Sequence, residues 1–452
     1  MFRPSETEFL SPPMMGGGEG EAKMTDQIES LQKEYLFPCV ATYYQKPLTF
    51  VRGKGMHLTD SEGREYLDFF AGILTVSVGH CNDTVNKAVI DQNQTLQHVS
   101  TLYINEPQVR LAKKLAKVTP GDLSKSFFTS SGTEANETAV LFARLATGHS
   151  DVIALRHAYS GRSEVTLNIT AHAPWRPMPS SIPYIKHAHN PYCYRCAFGL
   201  TYPGCDMRCA RDVEELIQTT TNGQIAAFMA EPIQGVGGFV TAPKEYFQVV
   251  LPIVRKYGGL FICDEVQTGC GRTGGTFCGI EHWGVKPDIM TFAKGLANGL
   301  PIGATIATPA VADSYKGLSI STFGGNPVST RGALATIEFI ENNHLADNAT
   351  VQGGRLRDGL EALKAKYPSI GDVRGMGLMQ GIEVIDPASA DGKAPDPKKV
   401  LKVFEETRRL GLLIGKGGLY SNVIRITPPM IVSSREIDDA LAVLDKAFAA
   451  AG

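Results

Sequence analysis

No stretch of the chain approaches the roughly 18 to 20 uncharged apolar residues that a membrane-spanning helix needs, so an integral helical membrane protein is excluded. Charge of one sign is equally scarce. The 44 Lys and Arg stand against 46 Asp and Glu, a formal balance of −2, which removes any general reason to expect nucleic acid or an anionic membrane as partner. The N-terminal stretch has neither the apolar core of a secretory leader nor the acid-poor, Arg-rich pattern of an organellar transit peptide. It holds acids, prolines and Gly16 to Gly18, and residues 1–28 are expected to form a disordered tail, although Met24 already opens an amphipathic segment, "MTDQIESLQKEY". The cysteines number nine, which is odd, and several stand in apolar contexts, as Cys263 does in "GLFICDE". Reduced thiols in a cytoplasm suit this better than a secreted disulfide frame.

What is present is a chain of 452 residues, 43 % hydrophobic and 20 % charged, long enough for a sizeable core. Near residues 48 to 70, apolar and polar residues alternate around Ser61-Glu62-Gly63, which predicts a hairpin. From about residue 82, helical patterns such as "PQVRLAKKLAKV" alternate with short apolar runs: "DVIALR", "IAAFMAEP", "GGLFICDE", "DIMTFAK" and "IGATIAT". That alternation predicts an α/β fold with a largely parallel sheet covered on both faces. A long helix over "STRGALATIEFIENN" leads into a second, α+β unit, whose "DPASADGKAPDPKK" reads as a surface loop.

Three features carry chemistry together. The run "GGLFICDE" delivers Asp264 and Glu265 to a strand end, where open α/β sheets place their ligand crevices, and the following strand delivers Lys294 to the same edge. A lysine among apolar and glycine neighbours has its ammonium form disfavoured and can attack an aldehyde; alone, it could equally snorkel to water or pair with a carboxylate. The third feature is Ser130-Ser131-Gly132-Thr133, between a strand-like "SFF" and a helix, where free N–H groups bind a phosphate or a plain N-cap serves the helix. Amine, carboxylate and anion cup are the requirements of pyridoxal 5′-phosphate (PLP): an amine for C4′, a carboxylate to keep the pyridine nitrogen protonated, and a phosphate site. A rival motif, Gly269-Cys270-Gly271-Arg272-Thr273-Gly274, matches a dinucleotide fingerprint, but the aromatic, glycine-broken "GTFCGIEHWG" that follows is no helix start.

"SSGTEAN", "AEPIQGVGG", "CDEVQTGCGRTG", "PDIMTFAKGLANGLPIGA", "TFGGNP" and "VRGMGLMQGIE" resemble, in this order, the class III, fold-type I PLP aminotransferases, from about residue 30 to the end. "YLDFFAGILTVSVGHC" and "LGLLIGKGGLYSNVIRITPPM" are most similar to the alanine–glyoxylate aminotransferase 2 branch. The resemblance implies a large PLP-binding domain over residues 81–322, with a small domain from 29–80 and 323–452. It implies that Lys294 holds the cofactor and shuttles a proton between Cα and C4′, and that Asp264 holds the pyridinium. Gln267 would lie near the 3′-oxygen, Ser131, Gly132 and Thr133 at the phosphate, Tyr159 on the ring face, and Glu231 in support of the pocket. Thr322 would reach the phosphate of a neighbouring subunit, which implies a homodimer with shared sites. The family usually has His after the stacking aromatic, where Ser160 stands here.

Arg425, in "SNVIRITPPM", matches the arginine that grips a substrate carboxylate, and its planar fork suits bidentate binding. In ω-amino-acid members, a glutamate two residues after the Gln of "EPIQ" masks this arginine, whereas Val236 stands at that position here. An Arg425 that stays available in both half-reactions favours small partners with a carboxylate close to the reacting carbon, such as alanine, glyoxylate and pyruvate, in a ping-pong transfer. An ω-amino donor on the same scaffold is the alternative, and the class also contains a decarboxylase and an aminomutase. Finally, Cys193, Cys196, Cys205 and Cys209 follow a C-x2-C-x8-C-x3-C pattern with His187 and His189 upstream. A structural zinc is one expectation for them, reduced packing cysteines the other; a metal-stabilised binding protein with a vestigial PLP site is the reading from another class.

Overall fold

The computed structural model describes residues 19–452. The tail expectation therefore lies, for residues 1–18, outside the described residues, while Glu19–Tyr35 is helical rather than tail.

A seven-stranded sheet organises the centre. Its strands are β1 (Lys125–Thr129), β2 (Val152–Leu155), β3 (Ile185–Ala188), β4 (Ala227–Ala230), β5 (Leu260–Asp264), β6 (Ile289–Phe292) and β7 (Gly303–Ala307). They lie in the order β1-β7-β6-β5-β4-β2-β3. The ladders from β6 across to β3 are all parallel, and β7 alone runs against both its neighbours. The strands formed by these apolar runs are buried here, Leu260 alone being partly exposed, because helices cover both faces. On one face, Ala139, Val140 and Ala143 of the helix Gly132–Thr147 share a core with Val152, Ala154, Ile262 and Ile289. On the other, Phe247, Val250 and Val254 of Tyr246–Lys256 join Phe228 and Phe261. Each such buried Phe, Val or Leu contributes about 1.5–3 kcal/mol.

The expected hairpin is present as one half of a three-stranded meander, Phe50–Lys54, His57–Asp60 and Glu65–Asp68. Asp60 Oδ1 closes its second turn by accepting the N–H groups of Glu62 and Arg64, both at 2.9 Å, and Gly63 supplies the left-handed residue, φ +77°. Leu412–Leu413 adds in parallel to Glu65–Asp68, joining the two ends of the chain. A third, antiparallel sheet pairs Ile370–Met376, Met379–Asp386, Val423–Ile426 and Gly415–Gly417, and it carries Arg425.

Candidate active site

Both β5 and β6 end at one edge of the sheet. Register places Asp264 opposite Thr291, so Lys294 follows three residues beyond that level. The helix Gly132–Thr147 starts at the same edge. Ser131 is its N-cap, extended at φ −153°, with its hydroxyl accepting Glu134 N–H at 3.2 Å. The helix thus leaves its first N–H groups, at Gly132 and Thr133, without intrahelical partners. A Cβ at Gly132 would stand 3.3 Å from Ala293 Cβ and Val266 Cγ2, so glycine is what lets the helix start approach this closely.

These elements enclose a cavity of ≈ 350 Å³ lined by Ser131, Gly132, Thr133, Tyr159, Glu231, Asp264, Gln267 and Lys294. Asp264 is buried. Its Oδ2 accepts from Asn136 Nδ2 at 2.8 Å and its Oδ1 from Val266 N–H at 3.1 Å. Asn136 is held in turn by Thr291, whose hydroxyl donates to its Oδ1 at 2.7 Å. Burial pushes the Asp264 carboxyl above the ordinary range, while the two donors and the Lys294 charge pull it back. Glu231 is pushed up by burial and then by Asp264. Its carboxylate accepts Gly235 N–H at 2.8 Å and Tyr159 N–H at 3.2 Å, which makes it a strut between two walls of the cavity.

Lys294 stands in the left-handed region, φ +44°, a conformation that costs a non-glycine residue and concentrates at functional sites. Facing the cavity keeps it partly accessible, yet protein crowds its amine. Burial lowers its pKa, Asp264 and Glu231 oppose that shift, and the charge of Arg425 adds to it. Gly295 beside it is required by packing, since a Cβ there would come 2.4 Å from Ser77 Oγ.

Tyr159 forms one wall, its ring edge-on to Trp175 at 5.6 Å and 75°. Where the family has His, Ser160 is fixed through its backbone: its N–H donates to Thr170 Oγ1 at 3.0 Å and its carbonyl accepts from Asn136 at 2.8 Å. The place of Tyr159 therefore does not depend on a side chain at position 160. Asn136, Ser160 and Gly161 also line the cavity; Asn136 lies inside "SSGTEAN" and Ser160 directly follows Tyr159, so both stand in segments the sequence marks.

Arg425 is buried and lies outside the cavity lining. Its Nε donates to Lys416 O at 3.1 Å, its Nη1 to Gly235 O at 3.4 Å, and its guanidinium faces the rings of Phe70 and Phe239 at 5.0 and 5.6 Å. It forms no ion pair among the described residues. Thr322 is exposed on the chain and does not line the cavity. Glu265, next to Asp264, is absorbed structurally: it accepts from Thr268 Oγ1 at 2.5 Å, Gly279 N–H at 3.0 Å and Ile280 N–H at 2.7 Å.

The glycine motif 269–274 opens no helix. A Cβ at Gly274 would meet Thr350 Oγ1 at 2.6 Å, and Arg272 is buried with Nη1 donating to Leu378 O and Pro428 O, so the glycines serve packing against the C-terminal part. Cys193, Cys196, Cys205 and Cys209 line a cavity of only ≈ 20 Å³ among Phe198, Leu200, Met207 and Pro243. They form no disulfide, and no group of three or more His, Cys, Asp or Glu among the described residues is arranged to hold a metal ion. His187 and His189 instead bond to Ile169 O and Arg156.

The main cavity fits PLP on its own chemistry. It offers free helix-start N–H groups for an anion, a buried carboxylate for a protonated ring nitrogen, and an amine. It also has a buried amide oxygen, Gln267 Oε1, that no protein group satisfies. Comparison with known proteins agrees. The family described as aminotransferase class-III matches residues 40–448. An Arabidopsis thaliana protein named alanine–glyoxylate aminotransferase 2 homolog 2, mitochondrial, is 43 % identical over 97 % of this chain and 89 % of its own length. A solved (S)-enantioselective omega-transaminase from Thermomicrobium roseum is 33 % identical at a TM-score of 0.87, covering 94 % of this chain and 98 % of that one. An amine transaminase from an uncultivated Pseudomonas species, solved in its PLP-bound form, is 28 % identical at 0.86, covering 93 % and 99 %. The α/β architecture with its mostly parallel sheet is fold-type I, and the chain belongs to the class III, PLP-dependent aminotransferases.

Proposed function

We propose that this enzyme moves an amino group from a small, alanine-like amino acid to glyoxylate or pyruvate in two successive half-reactions. PLP supplies an aldehyde carbon that receives the amino group and a ring that withdraws electrons from the reacting carbon. Lys294 Nζ, biased towards its neutral form by burial, would take the proton from the substrate Cα and deliver it to C4′ of the cofactor, and would move it the other way in the opposite half-reaction. Asp264, oriented by Asn136, would face the ring nitrogen and keep it protonated. Ser131, Gly132 and Thr133 would bind the phosphate, Tyr159 would hold the ring and Gln267 the side of its 3′-oxygen, while Glu231 braces Tyr159 against Gly235.

The observation that carries the choice of substrate is Arg425. A buried guanidinium without a carboxylate partner, whose charge is felt at Lys294, is an anchor for a substrate carboxylate one bond from the reacting carbon. With Val236 where a masking glutamate stands in ω-amino-acid enzymes, the anchor stays free in both half-reactions. Arg425→Ala should raise KM for both alanine and glyoxylate by tenfold or more; an unchanged KM for both removes the reading. The likeness to solved omega-transaminases supports a second reading, an ω-amino donor with pyruvate as acceptor, which donor profiling separates.

The active form is a homodimer in which Thr322 completes the partner's phosphate site. Support comes from the exposure of Leu318, Ile320 and Phe323 around it and of Leu102, Tyr103 and Ile104. The nine unpaired cysteines suit a reducing compartment such as the cytoplasm. No helix among the described residues is long and apolar enough to cross a membrane.

A further inference from the structure

A second cavity, of ≈ 490 Å³, shares no lining residue with the first. It lies beyond the C-terminal ends of β2 and β3, on the side of the sheet where parallel strands present ligand crevices. Its walls carry three arginines, Arg156, Arg176 and Arg195, and three histidines, His157, His187 and His189, and no Asp or Glu.

Most of this positive charge is uncompensated. Arg156 donates from Nη1 to the neutral Nδ1 of His189 at 3.2 Å, and neither Arg156 nor Arg176 takes part in an ion pair among the described residues. Arg195 directs Nε to Glu383, which leaves its buried Nη2 without a partner, and His157 Nδ1 is buried and unpartnered as well. Buried polar atoms without partners are rare in folded proteins and point to a group that satisfies them. Burial, then the charges of Arg176 and Arg156, hold His187 below its ordinary range, so the field is positive with the imidazoles neutral. Tyr192, Leu419 and Tyr420 close the cavity with less polar surface.

We propose that this cavity binds a small dianion bearing carboxylate or phosphate oxygens. The guanidinium groups of Arg156 and Arg176 bind it, and Arg195 Nη2 and His157 Nδ1 donate further hydrogen bonds. Arginine forks match both kinds of oxyanion, and two of them select a dianion over a monoanion. The bound anion touches Leu419 and Tyr420, just after the strand Gly415–Gly417 whose Lys416 carbonyl holds Arg425 Nε, so the site borders the region of the carboxylate anchor without sharing its contacts.

Calorimetric titration of the PLP-saturated full chain with succinate, inorganic phosphate and acetate tests this. Saturable binding of succinate, of phosphate or of both, about one per chain and stronger than acetate, is expected; which of the two binds identifies the oxyanion. The double variant Arg156→Gln/Arg176→Gln should bind roughly tenfold more weakly or worse while retaining the absorbance response to an amino donor. Hydrogen–deuterium exchange on the unaltered protein is independent of any variant: the dianion should protect amides around residues 156–157, 187–195 and 419–420. Absence of saturable binding, undiminished affinity in the double variant, displacement by saturating substrate, or protection confined to the surroundings of Lys294 overturns the proposal.

Discussion

Asn136 Nδ2 donates to Asp264 Oδ2 at 2.8 Å, linking the first turns of a helix to a strand end 128 residues away. The same amide nitrogen reaches Ser160 O at 2.8 Å, so one side chain orients the carboxylate and fixes the segment that carries Tyr159.

Replacing Asn136 with Ala should therefore loosen PLP rather than only slow the chemistry. A hydrogen bond to a charged group contributes about 1.5–3 kcal/mol, which corresponds to a rise of about tenfold or more in the PLP dissociation constant. Absorbance titration of the apoprotein reads it directly, and an unchanged constant would show that Asp264 is held well enough by Val266 N–H.

Gly235→Ala tests the orphaned amide. The new Cβ would come 2.2 Å from Gln267 Oε1 although the glycine needs no left-handed backbone, so the strain falls on the Gln267 side chain. Thermal unfolding should change little, by about 1–3 kcal/mol at most, while the absorbance maximum of the bound cofactor shifts. A variant with an unaltered spectrum would dissociate Gln267 from the cofactor.

Much of this was legible in the sequence, for reasons that also mark the limits. Strands β2, β4, β5, β6 and β7 are buried on both faces and therefore read as unbroken apolar runs. Strand β3 pairs on one side only, and its Lys186 and His187 disguise it. The reversal of β7 leaves no trace, because side-chain alternation is the same in either direction. Lys294, Asp264 and the Ser131-Gly132-Thr133 cup are marked by their own types at strand and helix ends. The division of labour between the adjacent Asp264 and Glu265 is not, since it depends on the distant groups each one meets.

A carboxylate introduced at Val236 should change the substrate. Val236→Glu would place an acid near an unpaired buried guanidinium, where the two form a charge-assisted pair. KM for alanine and glyoxylate should rise about tenfold, about 1.4 kcal/mol, and ω-amino donors gain relative to alanine. An unchanged donor ratio would show that position 236 does not control access to Arg425.

The buried His157 gives a pH dependence with a definite sign. Burial, then His172 and the nearby arginines, depress it from the ordinary 6.5 to about 4. The unfolded chain binds its proton first, so this stability is present above pH 6.5 and is lost as the pH falls through 6.5 towards 4. The shift corresponds to at most about 3 kcal/mol. Urea unfolding of His157→Gln should show a shallower fall between pH 7 and 4.5 than the unaltered protein, and parallel curves would contradict it.

Shared sites make a subunit-mixing prediction. Lys294→Ala and Thr322→Ala chains, each impaired alone, should regain activity when refolded together, because each mixed dimer then has one site free of both changes; random pairing gives about a quarter of full activity. No recovery would place Thr322 outside the partner's site.

The central claim is tested most directly by the absorbance of the PLP-saturated protein before and after L-alanine is added with no acceptor. The account predicts that the band of the lysine-bound cofactor gives way to that of the aminated cofactor, and that glyoxylate restores it. A band untouched by alanine but bleached by β-alanine or 4-aminobutyrate would keep the class III chemistry and contradict the assignment of Arg425 as a freely available anchor for a small amino acid.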